Sequence, residues 1–429
     1  VFDLNPAKCN YMNMHLLQRS VHAYNGKTFA ELIHGGRCMT RPDVPLIGAS
    51  DSEYQGRHVK GMDAEDMQDI IDMCVEFAHQ ARRAGFDGIM VHFAHGWLFH
   101  DFLSPLTNKR TDEFGGSVEN RCRFPLMALK AVREVIGDDL LIELRLTGND
   151  EMEGGIEPED AAQQVLIFQD YVDMIHISCG TRIDVTSRPR MTPTSFFPTE
   201  HNAYASAIVK NTPGVRIPIG AVGAIGNPER AEKLLEDGKA DYLLIARAAI
   251  ADNDWVNKVK AGREEDIRPC LRCNLCLDHG RRKSKIQGKE LVMASEVSFD
   301  RMCAVNPLSM QGAVKNRFPA PARRKKIVVV GGGVAGMNAA LSAANRGHEV
   351  LLYEKTDKLG GQALLSDGMW FKKEMKAYHE WLERQVRKNP NIFVVTNTEV
   401  TPETVSEIDP DATIVAVGAK QIVPSIPGI

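Results

Sequence analysis

The chain has 429 residues, 43% of them apolar and 25% charged, with a net charge of −4. That length accommodates two or three domains with sizeable cores, and the composition excludes a disordered, collagen-like or disulfide-stapled protein. The charge balance leaves no electrostatic footprint for nucleic acid, and the short basic runs at 281–285 and 323–326 read as solvated loops.

From residue 12 onward, helical and strand patterns alternate. A strand is predicted at 27–33. The following helix starts after its N-cap Asp63, carries Met67, Ile70, Ile71, Cys74, Phe77, Ala78 and Ala81 on one stripe, and ends at Gly85. Short apolar strands recur at 87–93, 140–146, 172–178, 217–222 and 241–246, separated by helical patterns such as 119–136 and 228–236. Six buried strands in a βα series belong to a parallel sheet. Two topologies fit: an open doubly wound sheet, or a (β/α)8 TIM barrel whose first two strands lie upstream of Val1. Polar and charged residues gathered just after the strand ends favour the barrel. The chain begins at Val1, ends at Pro427-Gly-Ile429 and reads as a fragment. No secretory signal precedes the first periodic segment, and Cys9, Cys38, Cys74, Cys122 and Cys179 are scattered through periodic segments. That is the pattern of a reduced, cytoplasmic protein.

After the barrel-like series comes Cys270-Leu-Arg-Cys273-Asn-Leu-Cys276, with a fourth cysteine at Cys303. Three closely spaced thiolates and a returning fourth suit a [4Fe-4S] cluster, in which each iron takes one cysteine; a tetrahedral zinc site fits the same spacing. The segment at 319–323, rich in proline and alanine, reads as a linker. Beyond it a β-branched strand enters Gly331-Gly-Gly333-Val-Ala-Gly336, a helix follows, and Glu354 closes the next strand. Glycines at those positions let backbone approach a pyrophosphate at the helix N-terminus, and the acid accepts from ribose hydroxyls. The same glycines argue that the uncharged run at 327–344 is a nucleotide fold rather than a membrane span. The pieces Leu359-Gly-Gly361-Gln362 and Ala412-Thr-Ile-Val-Ala-Val-Gly418 occur where disulfide-reductase-like flavoprotein domains contact FAD, so FAD is expected, with ADP the alternative.

The stretch Gly85-Phe-Asp-Gly-Ile-Met-Val-His92-Phe-Ala-His95-Gly-Trp97-Leu, continued from Phe102 through Asn108, Arg110 and Asp112 to Arg121, resembles the old yellow enzyme superfamily. The likeness is to its multidomain branch, with bacterial 2,4-dienoyl-CoA reductase and trimethylamine dehydrogenase. It covers nearly the whole chain. The resemblance implies FMN at the C-terminal mouth of the barrel: Glu31 at the flavin pyrimidine, Arg145 beside flavin N1 and O2, and a phosphate site at Gly223, Ala246 and Arg247. It implies that His92 and His95 hydrogen-bond a substrate carbonyl oxygen. At Trp97 the pattern departs from the tyrosine that serves ene reductases as the proton donor. Indole cannot act as that acid, and Tyr54, His34, Arg182 and Asp184 remain candidates.

The expected organisation is an FMN-binding barrel at 1–262, an iron–sulfur segment at 263–318 and a Rossmann-like FAD domain at 325–429. The FAD domain is cut before an NAD(P) insertion. Its FAD-binding residues are expected to be Gly331, Gly333, Gly336, Glu354, Gly361, Gln362 and Gly418, and the cluster ligands Cys270, Cys273, Cys276 and Cys303. The expected activity is reduction of a C=C bond conjugated to a carbonyl or thioester, with NAD(P)H electrons passing from FAD through the cluster to FMN. The partner is then a small unsaturated substrate; neither nucleic acid nor membrane is expected, and the family implies a homo-oligomer. An amine dehydrogenase or demethylase of the trimethylamine dehydrogenase type is the alternative. It is weakened because no tryptophan follows Cys276 where that enzyme's amine cage has one. A zinc-stapled nucleotide-binding scaffold is the non-enzymatic one.

Overall fold

The computed structural model describes residues 11–277, 283–286, 289–292, 303–309, 321–420, 422, 425 and 426. Cys9, the basic residues 281 and 282, residues 319 and 320 and the final Pro427-Gly-Ile429 lie outside the described residues. The chain divides into two compact units, Val1–Ile245 and Ala246–Ile429.

In the first unit α1 (Tyr11–His22) precedes β1 (Phe29–Leu32). Three short strands, β2 (Leu46–Gly48), β3 (Ser52–Tyr54) and β4 (Arg57–Gly61), form a separate small sheet. No strand is predicted between the one at 27–33 and the helix after Asp63, because strands of three to five mostly polar residues carry too little alternation to be read. Helix α2 (Ala64–Ala84) obeys the local signals closely: Asp63 and Asp66 form a reciprocal capping box, and Gly85 closes the helix at φ 81°. Its stripe of Met67, Ile70, Ile71, Cys74, Phe77, Ala78 and Ala81 is buried.

The remaining βα series comprises β5 (Gly88–Phe93), α3 (Leu98–Leu103), α4 (Val118–Ile136), β6 (Leu141–Asn149), α5 (Pro158–Phe168), β7 (Met174–Cys179), α6 (Arg188–Met191), α7 (Ala203–Lys210), β8 (Ile219–Val222), α8 (Pro228–Glu236) and β9 (Tyr242–Leu244). The six-stranded sheet runs β1-β5-β6-β7-β8-β9, every pair parallel. Strictly sequential order, with no reversal at a switch point, is barrel winding and excludes the doubly wound alternative for this unit. An aromatic seam ties β5 to helices α3, α4 and α5. Phe93 lies 4.5 Å from Phe99 and 5.8 Å from Phe168, while Phe124 lies 5.4 Å from Phe99 and 4.6 Å from Phe102, ring centre to ring centre.

The second unit contains α9 (Arg247–Ala251), α10 (Trp255–Lys260), a hairpin of β10 (Lys283–Ile286) and β11 (Lys289–Val292), β12 (Lys326–Val330), α11 (Val334–Asn345), β13 (Glu349–Tyr353), α12 (Lys373–Lys388), β14 (Ile392–Val395), α13 (Pro402–Ile408) and β15 (Ala412–Val415). Its parallel sheet is ordered β14-β13-β12-β15, so the winding reverses at β12. The glycine loop leaves β12 at that switch point, the ligand-binding crevice of open α/β sheets. The uncharged run at 327–344 is β12, the loop and most of α11, and among the described residues no helix is long and apolar enough to cross a membrane.

Residues 246–271 are tied into this second unit. Ala251 and Val305 share its core with Trp381 and Leu382, Trp381 Nε1 donates to Asp266 O at 3.0 Å, and the Arg268 guanidinium sits 5.0 Å from the Trp381 ring centre.

The aromatic seam generates a stability prediction. Phe124→Ala is expected to destabilise the first unit by about 3–5 kcal/mol through lost transfer energy and a residual cavity. A denaturant titration should then show a lower midpoint for that unit; a shift below about 1 kcal/mol would mean that the seam is not a cornerstone.

Candidate active site

The barrel strands bring a polar layer together. Paired residues on adjacent parallel strands share a face, and the register aligns His92 with Arg145, Arg145 with His176, His176 with Gly220 and Gly220 with Tyr242. One line below, Glu143 Oε1 accepts from His176 Nδ1 and from the Tyr242 hydroxyl, both at 2.9 Å. Arg145 has no hydrogen-bonding partner for its Nε, which is closed off from solvent, and its Coulombic partners are Glu31 and Glu143. Glu31 Oε1 lies 4.0 Å from His92 Nε2.

His92 and His95 are each 2% exposed, with ring centres 5.2 Å apart. The Ala94 N–H donates to His92 Nδ1 at 3.1 Å, which places the proton of the neutral ring on Nε2. Burial, then the charge of Arg145, depresses the basicity of both rings well below the usual histidine range. Both are therefore neutral at physiological pH. The two are not equivalent: His95 Nε2 is engaged by Ser178 Oγ at 2.8 Å, and its backbone N–H donates to Thr147 Oγ1 at 3.0 Å. His95 itself is left-handed at φ 66°, a conformation held by a parallel bridge to Thr181.

Trp97 stands 6.3 Å from the His92 ring, and the Arg182 guanidinium lies 4.3 Å from the Trp97 ring centre. The Tyr54 hydroxyl donates to Arg182 O at 3.1 Å, and burial, then the Cys38 thiol, pushes Tyr54 up to about 12. Among the proton-donor candidates, Asp184 instead accepts from the Thr186 N–H and hydroxyl. His34 Nδ1 accepts from the Gly36 N–H at 3.2 Å, and burial lowers this histidine to about 4. Arg182 is a guanidinium and cannot supply a proton near neutrality.

The polar residues of the long motif are structural. Asn108 Nδ2 donates to Phe102 O and Phe114 O, Arg110 Nη1 to Ala49 O and Met62 O, and Arg121 Nε to Leu103 O. At the other end of the barrel mouth Gly223 is at φ 122°, and a Cβ there would fall 2.7 Å from Asn202 Nδ2. Both polar atoms of the Asn202 amide are buried without a partner. Glu143, His176, Ser178 and Asn202 escaped the sequence reading. For the first three the signal was present: Glu143-x-Arg145 and His176-x-Ser178 have the period-two spacing that puts residues on one face of a strand.

In the second unit Cys270, Cys273, Cys276 and Cys303 line one pocket with Arg247. Arg247 Nη1 donates to Asn274 Oδ1, and its charge faces Cys270, Cys276 and Cys273. Arg272 and Asn274 are both left-handed, at φ 52° and 59°, so the loop is wound tightly between the cysteines. Such a conformation costs about 1–3 kcal/mol per residue and persists where surroundings impose it; buried Arg272 is locked by its ion pair to Glu374. Among the described residues no three His, Cys, Asp or Glu side chains converge closely enough for a single metal ion. Ala246 is exposed at the start of α9. In the nucleotide loop a Cβ on Gly336 would fall 1.8 Å from Gly331 O, and Gly331 is at φ 105°. Gly333 caps α11 and faces Gly361, Gln362 Nε2 donates to Ala419 O, and Gly418 is at φ 76°. Glu354 accepts from the Gly332 N–H at 2.7 Å and the Thr356 N–H at 2.9 Å.

Comparison with known proteins matches residues 9–266 to the NADH:flavin oxidoreductase / NADH oxidase family and residues 325–429 to pyridine nucleotide-disulphide oxidoreductases. The NADH oxidase of Thermoanaerobacter brockii is 34% identical over 96% of this chain and 61% of its own length. The N,N-dimethylglycine/sarcosine dehydrogenase of Chromohalobacter salexigens is 28% identical over 96% of this chain and 58% of its own. A solved 2-naphthoyl-CoA reductase complex superposes with a TM-score of 0.86 at 27% identity, covering 98% of this chain and 64% of that one. The chain thus spans about three-fifths of the length of the curated relatives it matches.

The neutral histidines predict a pH dependence. Their folded pKa values are depressed, so the unfolded chain binds protons first, and stability falls as pH drops from about 6.5 toward the folded values. For His34 that window closes near 4. Each such histidine contributes at most about 1.4 kcal/mol per pH unit within its window. Urea midpoints at pH 7 and pH 5 should differ accordingly, and His34→Asn should reduce the difference; equal midpoints would mean that the rings are charged in the fold.

Proposed function

We propose that this chain, which belongs to the NADH:flavin oxidoreductase / NADH oxidase family in the multidomain branch of the old yellow enzyme superfamily, is the FMN, cluster and FAD portion of an NAD(P)H-dependent ene reductase. The observation that carries the reading is His92, a neutral ring with its proton on Nε2, in register with the guanidinium of Arg145.

The residues fit the groups proposed. For FMN, the unpartnered Arg145 Nε beside Glu31 suits a flavin edge, and the orphaned Asn202 amide at Gly223 suits a phosphate. For [4Fe-4S], four thiols line one pocket. Each iron of a cluster takes one such thiol, and the flavin-binding domains proposed on either side in the sequence favour a redox cluster over structural zinc. For FAD, the Gly331–Gly336 loop lies at the switch point, its tight turn needs glycine at Gly331 and Gly336, and a Cβ at Gly333 would meet nothing nearer than 3.9 Å, which leaves that backbone open to a pyrophosphate. When bound, these groups would carry NAD(P)H electrons through FAD and the cluster to FMN, which supplies hydride to the β-carbon.

The chain's own work is then positioning and charge. His92 Nε2–H donates to the carbonyl oxygen and stabilises the negative charge that develops there. A neutral donor does this without requiring a proton from solvent. Glu143 keeps Nδ1 of His176 protonated and stands beneath Arg145 as its counter-charge. Tyr54, held protonated, is the remaining acid among the candidates near Trp97. Amine oxidation is the second reading, because a dehydrogenase stands among the relatives; it is disfavoured because the Trp97 face that could hold an ammonium already carries a guanidinium.

The test is anaerobic: reduce the full-length protein's flavins chemically, mix with enones and enoyl-thioesters, and follow flavin absorbance. Rapid reoxidation is expected, while reduction of the oxidised enzyme by amines would replace this reading with the dehydrogenase. His92→Phe should slow reoxidation by about 10²–10³-fold, the usual loss for one oxyanion donor, with FMN retained. Cys273→Ala should abolish NAD(P)H-driven turnover yet leave reoxidation of chemically reduced protein intact; undiminished NAD(P)H turnover would refute the relay.

A further inference from the structure

We propose that Arg182 is the receptor for a carboxylate carried by the substrate, so that the preferred alkene is an unsaturated carbonyl compound that is also an acid. The proposal rests on the ene-reductase reading and adds a substrate class to it.

Arg182 is half-buried, its Nε is closed off from solvent without a hydrogen bond, and its guanidinium makes no ion pair among the described residues. The charged and titratable groups acting on it are Cys38 and Tyr54, both protonated at neutral pH, and Arg188, a like charge. No carboxylate acts on it, and Asp184, two residues on, accepts from Thr186 instead. A cation taken partly out of water without a counter-ion is unfavourable unless an anion completes it.

The guanidinium is also held in place. Its residue's N–H donates to His95 O at 3.2 Å and its carbonyl accepts from Tyr54, so both sides of the backbone are pinned to the active-site wall. Gly96 permits this approach, since a Cβ there would fall 2.9 Å from Thr181 Oγ1. The guanidinium carbon lies over the indole ring of Trp97, a cation–π contact that holds the fork, whose paired N–H groups can meet two carboxylate oxygens. Trp97 is 6.3 Å from His92 and Arg182 is 4.3 Å from Trp97, steps that suit a small molecule with its carbonyl at His92. The phosphates of a nucleotide thioester carrier lie too many bonds from the acyl group for that span.

The experiment is calorimetric titration of the full-length oxidised holoenzyme with 3-benzoylpropanoate, which has no alkene to reduce, and with its methyl ester, coenzyme A and inorganic phosphate. The acid is expected to bind about 10–100-fold more tightly than the ester, the worth of a charge-assisted hydrogen bond. Arg182→Gln should bring that ratio toward one, and Arg182→Lys should keep part of it as a point charge without the fork. Equal affinities for acid and ester, or a ratio that survives Arg182→Gln in a variant retaining its flavins, would overturn the proposal. Arg182-dependent binding of phosphate or coenzyme A but not of the acid would also overturn it, assigning the anion to a thioester carrier. Because the ligand is never reduced, failure of ene reduction would leave this result standing, and failure here would not touch reoxidation by neutral enones.

Discussion

An arginine whose Nε is shut away from water with no partner is the constraint on which the first unit depends. Arg145 can be tolerated at that position only because carboxylates lie within Coulombic reach, and Glu143 is itself held by His176 and Tyr242. Burial alone would push Glu143 toward its neutral form, but the His176 and Tyr242 hydrogen bonds bring it below the usual glutamate range. The lumen thus holds a fixed negative charge beneath a fixed positive one. The same positive charge, added to burial, keeps His92, His95 and His176 neutral. Proton states at the mouth are therefore consequences of packing rather than of ambient pH.

The mouth is asymmetric in a way that bears on chemistry. His92 has its proton directed by an Ala94 amide, whereas His95 spends Nε2 on Ser178, so the pair divides into a donor and a ring braced by its neighbour strand. Around Trp97 the surplus charge is positive, which favours anions over ammonium ions. In the second unit the same rule operates on sulfur: Arg247 faces the thiols that would be anionic as ligands, and two left-handed residues wind the loop between them. The buried Arg272–Glu374 pair anchors that winding to α12.

Much of this was legible without coordinates. The Asp63 cap, the Gly85 terminus, the stripe of α2 and the βα alternation come from signals confined to a few residues, and the glycine loop is dictated by a contact of 1.8 Å that any Cβ would make. The small sheet at Leu46–Gly61 was not legible, because its strands are too short and polar for periodicity to register. Nor was the part played by Asn108, Arg110 and Arg121, whose side chains bond to distant backbone carbonyls rather than to a ligand.

What the sequence by itself determined is therefore the longer helices and strands, their βα alternation and the spacing of the thiols and glycines, since caps, periodicity and backbone conformation act over one or two turns; the sequential strand order that makes the winding a barrel came from the structure. Only the tertiary structure decided which polar groups meet. Strand register set Glu143, His176 and Tyr242 beneath Arg145, a bridge between His95 and Thr181 set Arg182 over Trp97, and the fold of the second unit turned Arg247 toward the cysteines. Those juxtapositions join residues tens of positions apart, and their energies exist only once burial has removed the water that would otherwise screen each charge.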